Sequence, residues 1–147
     1  DNNFIVKKEK ETLIIRLLEG DFPEYGDIVV VDGGHDIPLD RQLFLMTLKR
    51  MSILSSEEYK GVIFHFNTDK LLINSTNPDI GESKEDMDIS YKGDPVEVMY
   101  NPKFFIDTLG VIDEDNIILN IIDEEKPCKI LAENDKSFLS VIMPMRI

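Results

Sequence analysis

Cysteine is almost missing from this chain: Cys128 stands alone among 147 residues. A single thiol forms no internal disulfide and builds no zinc cluster, so a reducing, cytoplasmic setting is the default expectation. Histidine is also scarce, with only His35 and His65, and a multi-histidine metal site cannot be assembled from two. No run of residues approaches the ~20 apolar positions of a membrane-spanning helix. No basic-plus-apolar leader opens the chain, which leaves secretion without support and gives the Asn74-Ser75-Thr76 sequon no meaning as a glycosylation site. No glycine-rich phosphate loop is present, and no serine or cysteine sits in a recognisable activating motif. Positive charge is short as well: 16 Lys and Arg against 29 Asp and Glu give a net charge of −13. That balance weighs against a broad phosphate-binding surface and favours solubility and a basic protein partner, although net charge says nothing of where the charges sit. The chain opens on Asp1 rather than methionine, which points to a processed product or a fragment of something longer.

What is present is an ordinary globular composition, 42% hydrophobic. The length suits one good domain and a piece of a second, and a chain of this size buries roughly 68–70% of its unfolded surface. The first segment reads as a hairpin, with Phe4–Lys8 and Thr12–Leu18 as strands around a polar Glu9-Lys10-Glu11 turn. Gly20, Pro23 and Gly26 then break the pattern. The apolar run Ile28-Val29-Val30-Val31 follows and ends at Asp32-Gly33-Gly34, the best candidate for a domain boundary.

From His35 onward an order of elements repeats. A short strand, Asp36–Leu39, leads to Asp40 as N-cap of a helix over Arg41–Leu54, in which Phe44, Leu48 and Met51 share a face. Three strands follow: Gly61–Phe66, Leu71–Ser75 and Met87–Tyr91, the last two separated by an acidic loop over 77–86. The same order then recurs. Val96–Tyr100 is a strand, Asn101-Pro102 opens a short helix closed by Gly110, and strands follow over Asn116–Ile122, Cys128–Ala132 and Phe138–Met143. Strand-helix-strand-strand-strand, twice, is an α+β pattern. It favours antiparallel sheets with the two helices gathered on one face, and two units related by an approximate two-fold axis.

Several segments imitate catalytic sites. Val29-Val30-Val31-Asp32 resembles a strand ending in a catalytic aspartate, and His35-Asp36 resembles half of a metal phosphohydrolase site. A metal-dependent phosphoesterase built on Asp32, His35 and Asp36 is therefore the alternative reading, set against ordinary turn and surface roles for the same residues. Asp86-Met87-Asp88 and Asp113-Glu114-Asp115 are candidate magnesium ligands in principle, but in so acidic a chain they read as solvated loops. Taken alone, the residues describe a non-catalytic α+β domain with an acidic surface.

Four segments carry a resemblance that goes further. They are the tail Ser140-Val141-Ile142-Met143-Pro144-Met145-Arg146-Ile147, the stretch Glu19-Gly20-Asp21-Phe22-Pro23-Glu24-Tyr25, the pair Ile53–Glu57 and Lys60-Gly61-Val62, and Asn101-Pro102-Lys103-Phe104-Phe105. In order and across nearly the whole chain, they resemble the C-terminal portion of bacterial DNA sliding clamps, the beta subunit of DNA polymerase III. The resemblance implies the DNA-clamp fold, with two β-α-β-β-β units, antiparallel sheets on the outer face and two helices on the inner face. It implies that residues 1–33 are the closing hairpin of a middle domain plus linker and that 34–147 form a third, C-terminal domain.

It also implies a non-catalytic processivity factor, an accessory subunit of a DNA-directed DNA polymerase, with no cofactor and no metal. Such a ring encircles duplex DNA by topology and without regard to sequence, as a homodimer of full-length subunits, at the cytoplasmic replication fork. Arg41, Lys49, Arg50 and Lys103 are the candidate DNA-facing charges, with plain solubilising roles as the other reading. Ile53 and Leu54 would form the ring joint, which this fragment alone is not expected to close. The polymerase III catalytic subunit, the clamp loader and repair polymerases would insert a glutamine-plus-hydrophobic peptide into a pocket. This chain's share of that pocket is Pro23, Ile28, Asn101, Phe104, Val141, Met143, Pro144, Met145, Arg146 and Ile147. Val141 and Ile28 also read as core. Flexible, polarisable methionines suit a groove that accepts many partners. One departure from the family pattern stands out: Glu125-Lys126-Pro127 occupies a loop that borders the pocket in relatives, often with small or apolar residues.

Overall fold

The computed structural model describes residues 2–20, 24–29, 33–55 and 61–146. The chain divides into two compact units, Asp1–Val30 and Val31–Ile147. In the first, β1 (Asn3–Lys8) and β2 (Glu11–Arg16) pair antiparallel with Asn3 opposite Arg16 and Lys8 opposite Glu11. A single helical turn, α1 (Gly26–Val29), follows, in which the Ile28 and Val29 amides donate to the Tyr25 carbonyl. Ile28 and Val29 are thus helical rather than part of the strand that their β-branched run suggests, and Val30, Val31 and Asp32 lie outside the described residues. Phe4, Ile5, Leu13 and Ile14 are all exposed, because a lone two-stranded ribbon has no second layer to cover either face.

The second unit holds the duplication. Its first half runs β3 (His35–Asp40), α2 (Arg41–Ser52), β4 (Val62–Asn67), β5 (Lys70–Asn77) and β6 (Gly81–Asp88). Its second half runs β7 (Val96–Tyr100), α3 (Pro102–Leu109), β8 (Asn116–Ile121), β9 (Cys128–Ala132) and β10 (Leu139–Ile142). Two four-stranded antiparallel sheets result, ordered β6-β5-β4-β7 and β10-β9-β8-β3. Each half lends its first strand to the other half's sheet: β3 pairs with β8, and β7 pairs with β4. The halves are therefore interlocked by main-chain hydrogen bonds as well as by packing.

Period-two burial explains the strands. Val62, Phe64 and Phe66 point inward from β4, Leu71 and Ile73 from β5, Val96, Val98 and Tyr100 from β7, and Ile117, Leu119 and Ile121 from β8. Each sheet thus has one apolar face, as antiparallel sheets commonly do. The helices cover those faces. Asp40 caps α2 through Oδ1, which accepts the Leu43 amide at 2.7 Å, and Asn101 caps α3 by accepting the Lys103 amide at 3.0 Å, with Pro102 in the first turn. Phe44, Leu48 and Met51 of α2 and Phe105 and Leu109 of α3 are fully buried. Their centre is a ring cluster in which Phe105 lies 5.9 Å from Phe44, 5.3 Å from Phe64 and 5.2 Å from Tyr100, centroid to centroid. Among the described residues, the buried hydrophobic side chains from Ile37 to Ile142 belong to one contiguous core.

One element departs from expectation. The acidic stretch 77–86 is mostly a strand rather than a loop. The turn is confined to Pro78-Asp79-Ile80, with the Asp79 amide donating to Asn77 Oδ1 and Gly81 at a φ of +126° opposite Asn77. From there β6 pairs with β5 along its whole length. Its side chains are polar because β6 is the sheet's edge and only Met87 is drawn into the core. Charge on an edge strand blocks pairing with other chains, and it hides the strand from any hydrophobicity pattern.

Candidate functional site

The C-terminal tail builds the site. Ile142 is the last core residue, at the end of edge strand β10. Pro144, two positions on, has no amide to donate, so the ladder with β9 cannot continue. The chain instead crosses to the other sheet. There the Met145 amide donates to the Met99 carbonyl at 2.8 Å, an isolated antiparallel bridge on the free edge of β7.

The crossing encloses one side of a cleft of 770 Å³, lined by Glu97, Val98 and Met99 of β7, by Glu124 and Glu125 of the β8–β9 loop, and by Met143, Pro144, Met145 and Arg146. That volume is in the range of ligand and peptide pockets, roughly 300–1,000 Å³. Its apolar surface includes two accessible methionines: Met143 is 55% exposed and Met145 36%. Met99 lies against Gly61, where any Cβ would collide with its thioether. The rim is more fixed. Asp123 Oδ1 accepts the amides of Glu125 at 2.9 Å and Lys126 at 2.8 Å, an Asx turn that sets the loop. Glu97 pairs with His65 Nδ1 at 3.1 Å, and His65 Nε2 lies 3.2 Å from Asn74 Nδ2.

The structure brings Met143, Pro144, Met145 and Arg146 together and places other expected site residues elsewhere. Val141 sits on β10 opposite Lys129, half-buried, outside the lining. Asn101 is spent on capping α3. Phe104 is 54% exposed on α3 and is not part of the lining, although α3 runs beside β10, with Thr108 Oγ1 3.1 Å from Ser140 Oγ. Ile28 is exposed in the N-terminal unit. Pro23 and Ile147 lie outside the described residues. Glu97, Val98, Met99 and Glu124 were not singled out from sequence. The available signal was the alternation Val96-Glu97-Val98-Met99, which turns Glu97 and Met99 away from the core on an edge strand.

The basic candidates separate by partner. Arg41 donates from Nε to the Glu114 carbonyl at 2.6 Å and from Nη1 to the Leu109 carbonyl at 3.1 Å, so it clasps the start of α2 to the exit of α3. Arg50 forms a two-pronged pair with Glu85 of β6 and also donates to Thr47 Oγ1. The Glu85 carboxylate hydrogen-bonded to it holds the guanidinium above its usual pKa, and Glu85 falls below its own. Lys103 pairs with Asp107 one turn on, an exposed pair of little strength. No carboxylate among the described residues pairs with Lys49. Ile53, at the end of α2, is 76% exposed, whereas the Leu54 carbonyl accepts Asn77 Nδ2.

The phosphoesterase reading finds no geometry. Consecutive strand residues His35 and Asp36 point to opposite faces. His35 packs edge-on against Tyr91, and Asp36 Oδ1 accepts Asn120 Nδ2 at 2.8 Å. Asp32 lies outside the described residues. The acidic triplets have structural partners: Lys70 pairs with Asp86 and Asp88, and Glu114 accepts the amides of Asn134 and Asp135. Among the described residues no three His, Cys, Asp or Glu side chains converge as metal ligands. Among the described residues no helix is long and apolar enough to cross a membrane.

Two interlocked strand-helix-three-strand halves, with their helices side by side, define a domain of the DNA-clamp fold. The sequence matches the family described as DNA polymerase III beta subunit, C-terminal domain, over residues 32–146, and the chain belongs to that family. It is 30% identical over 135 residues to the beta sliding clamp of Chlamydia muridarum, covering 92% of this chain and 36% of the relative. The crystal structure of the DNA polymerase III subunit beta from Pseudomonas aeruginosa superposes with a TM-score of 0.84 at 27% identity, covering 100% of this chain and 40% of that one. A Pseudomonas aeruginosa clamp bound to griselimycin gives 0.80 at 29% identity, covering 92% and 37%. The chain thus spans well under half the length of these relatives.

Proposed function

We propose that this chain is a non-catalytic segment of a replication processivity factor. Residues 1–33 would be the closing hairpin of a middle domain plus linker, and 34–147 the third domain. In the full-length subunit, a homodimeric ring in the cytoplasm would enclose duplex DNA, with the sheets outward and α2 and α3 toward the hole. Ile53 and Leu54 would form the joint with a neighbouring subunit, and Lys49 and Lys103 would supply weak inner-rim phosphate contacts. A ring held by topology needs little affinity for phosphate, which is how a clamp tolerates so acidic a surface.

The chain's second role is docking. The polymerase III catalytic subunit, the clamp loader and repair polymerases would place a glutamine-plus-hydrophobic peptide on Met143, Pro144, Met145 and Arg146; the resemblance adds Asn101, Phe104 and Val141, which stand outside the lining of the cleft. The observation that carries this reading is the Met145–Met99 bridge. It holds two half-exposed methionines over a cleft and does nothing for the core. Methionine supplies apolar contact without a fixed shape, which suits several partners in one groove.

Fluorescence anisotropy with a labelled glutamine-plus-hydrophobic decapeptide tests this reading. Saturable binding that weakens when Met143 and Arg146 are both changed to alanine is expected, and identical titrations for the two proteins would count against it.

A further inference from the structure

We infer that the tail cleft selects partner peptides that carry basic residues beside their apolar anchor, an inference that rests on the docking role proposed above. The lining combines an apolar strip, Met99, Met143, Pro144 and Met145, with three carboxylates, Glu97, Glu124 and Glu125, against one cation, Arg146. Lys126, the next residue of the loop, is outside the lining.

The carboxylates are positioned, not merely abundant. Glu124 and Glu125 sit in the Asx turn fixed by Asp123, and both are exposed. Glu97 lines the cleft from β7, where its partner His65 leaves it 57% exposed. Carboxylates from two different elements therefore line the cleft together with one apolar strip. A peptide that lays leucine or phenylalanine on the methionines brings its flanking residues against those carboxylates. Lysine or arginine there gains charge-assisted contacts, and glutamate or aspartate meets like charge. The selection works as much by repulsion of acidic flanks as by attraction of basic ones.

The test uses the full 147-residue chain and three labelled decapeptides with one shared glutamine-leucine-phenylalanine core, flanked by lysines, serines or glutamates. In about 50 mM salt the lysine-flanked peptide should bind roughly five- to tenfold more tightly than the serine-flanked one, and the glutamate-flanked one more weakly than either. The ranking should compress at about 500 mM salt. Because the whole chain is acidic, a control separates the cleft from the overall field. Glu124→Gln with Glu125→Gln should collapse the ranking, whereas Glu82→Gln with Asp113→Asn, which removes the same charge outside the lining, should preserve it. If the loop variant misfolds, Glu97→Gln on β7 carries the same expectation at smaller size. Equal binding of all three peptides, or a ranking untouched by the loop variant, overturns the charge selection and leaves docking intact. No binding by any peptide removes the docking role and the selection with it.

Discussion

The Met145 amide reaches the Met99 carbonyl at 2.8 Å and is the one point at which the tail hydrogen-bonds the first sheet among the described residues. That contact decides whether Met143 and Met145 lie over the cleft or swing free. Met145→Pro deletes the donor while keeping an apolar residue. The expected cost to folding is small, about 1 kcal/mol, because the bond closes a surface strap rather than the core. The expected cost to peptide affinity is large, because the Met145 side chain leaves the lining and Met143 loses its placement. Urea unfolding followed by circular dichroism reads the first and anisotropy the second; equal, small losses in both would show that the bridge does not organise the cleft.

Gly61 offers a second handle on the same place. It precedes β4 and leaves the space that the Met99 thioether fills. Gly61→Ala would push Met99 toward the cleft it lines. Since a methionine side chain rearranges easily, stability should fall by less than about 1.5 kcal/mol, while peptide affinity changes measurably. Unchanged affinity would mean that Met99 contributes no surface to the bound peptide.

Much of this was readable from residue order, and the misses share a cause. Asp40 and Asn101 announced both helices because capping is local chemistry, and Phe64, Phe66 and Val98 announced their strands by alternation. Strand β6 stayed hidden because two of its inward positions, Ser83 and Glu85, are polar, so its period-two burial leaves no hydrophobic pattern. The strand exchange, β3 onto β8 and β7 onto β4, was invisible because register between distant segments leaves no local signature. The same holds for the site. The Met-Pro-Met-Arg tail stood out as a motif, but its landing on Met99 and the sharing of one cleft by Glu97, Glu124 and Glu125 arise only when the chain folds.

The exchange has an energetic consequence. Neither half can unfold without stripping a strand from the other's sheet, and both helices share the Phe44–Phe64–Tyr100–Phe105 cluster. The Val31–Ile147 unit should therefore lose both sheets in one transition. Phe105→Ala should cost about 3–5 kcal/mol and lower the midpoint for both halves alike. Hydrogen exchange of β4 and β9 amides would check this, and protection lost in one half ahead of the other would contradict the interlock.

Cys128 supplies a pH prediction. Burial pushes its thiol up from 9.0 to about 12, and Tyr100 is likewise raised by burial. The folded state holds the neutral thiol, whereas the unfolded chain ionises near the ordinary value. The contribution to stability is therefore fully present below pH 9 and is lost as pH rises through the window toward 12. A thiol reagent at pH 8 should leave Cys128 unmodified until denaturant is added, and the urea midpoint should decline between pH 9 and pH 11. Prompt labelling of the native chain would refute the burial argument.

The basic residues of the helices divide into two kinds, and DNA binding should distinguish them. Lys49 has no described carboxylate partner and Lys103 only an exposed one, so both remain available to phosphate. Arg41 is committed to the Glu114 and Leu109 carbonyls. In the full-length protein, Lys49→Ala and Lys103→Ala should each reduce the slope of log affinity against log salt on linear duplex DNA by up to ~0.9, the signature of one phosphate contact, with little change in stability. Arg41→Gln should do the reverse. It leaves the slope nearly unchanged and lowers the unfolding midpoint, because two part-buried carbonyls lose their charged donor. A slope that falls with Arg41 and not with the lysines would place the DNA-facing charge at the helix junction instead of along the exposed flank.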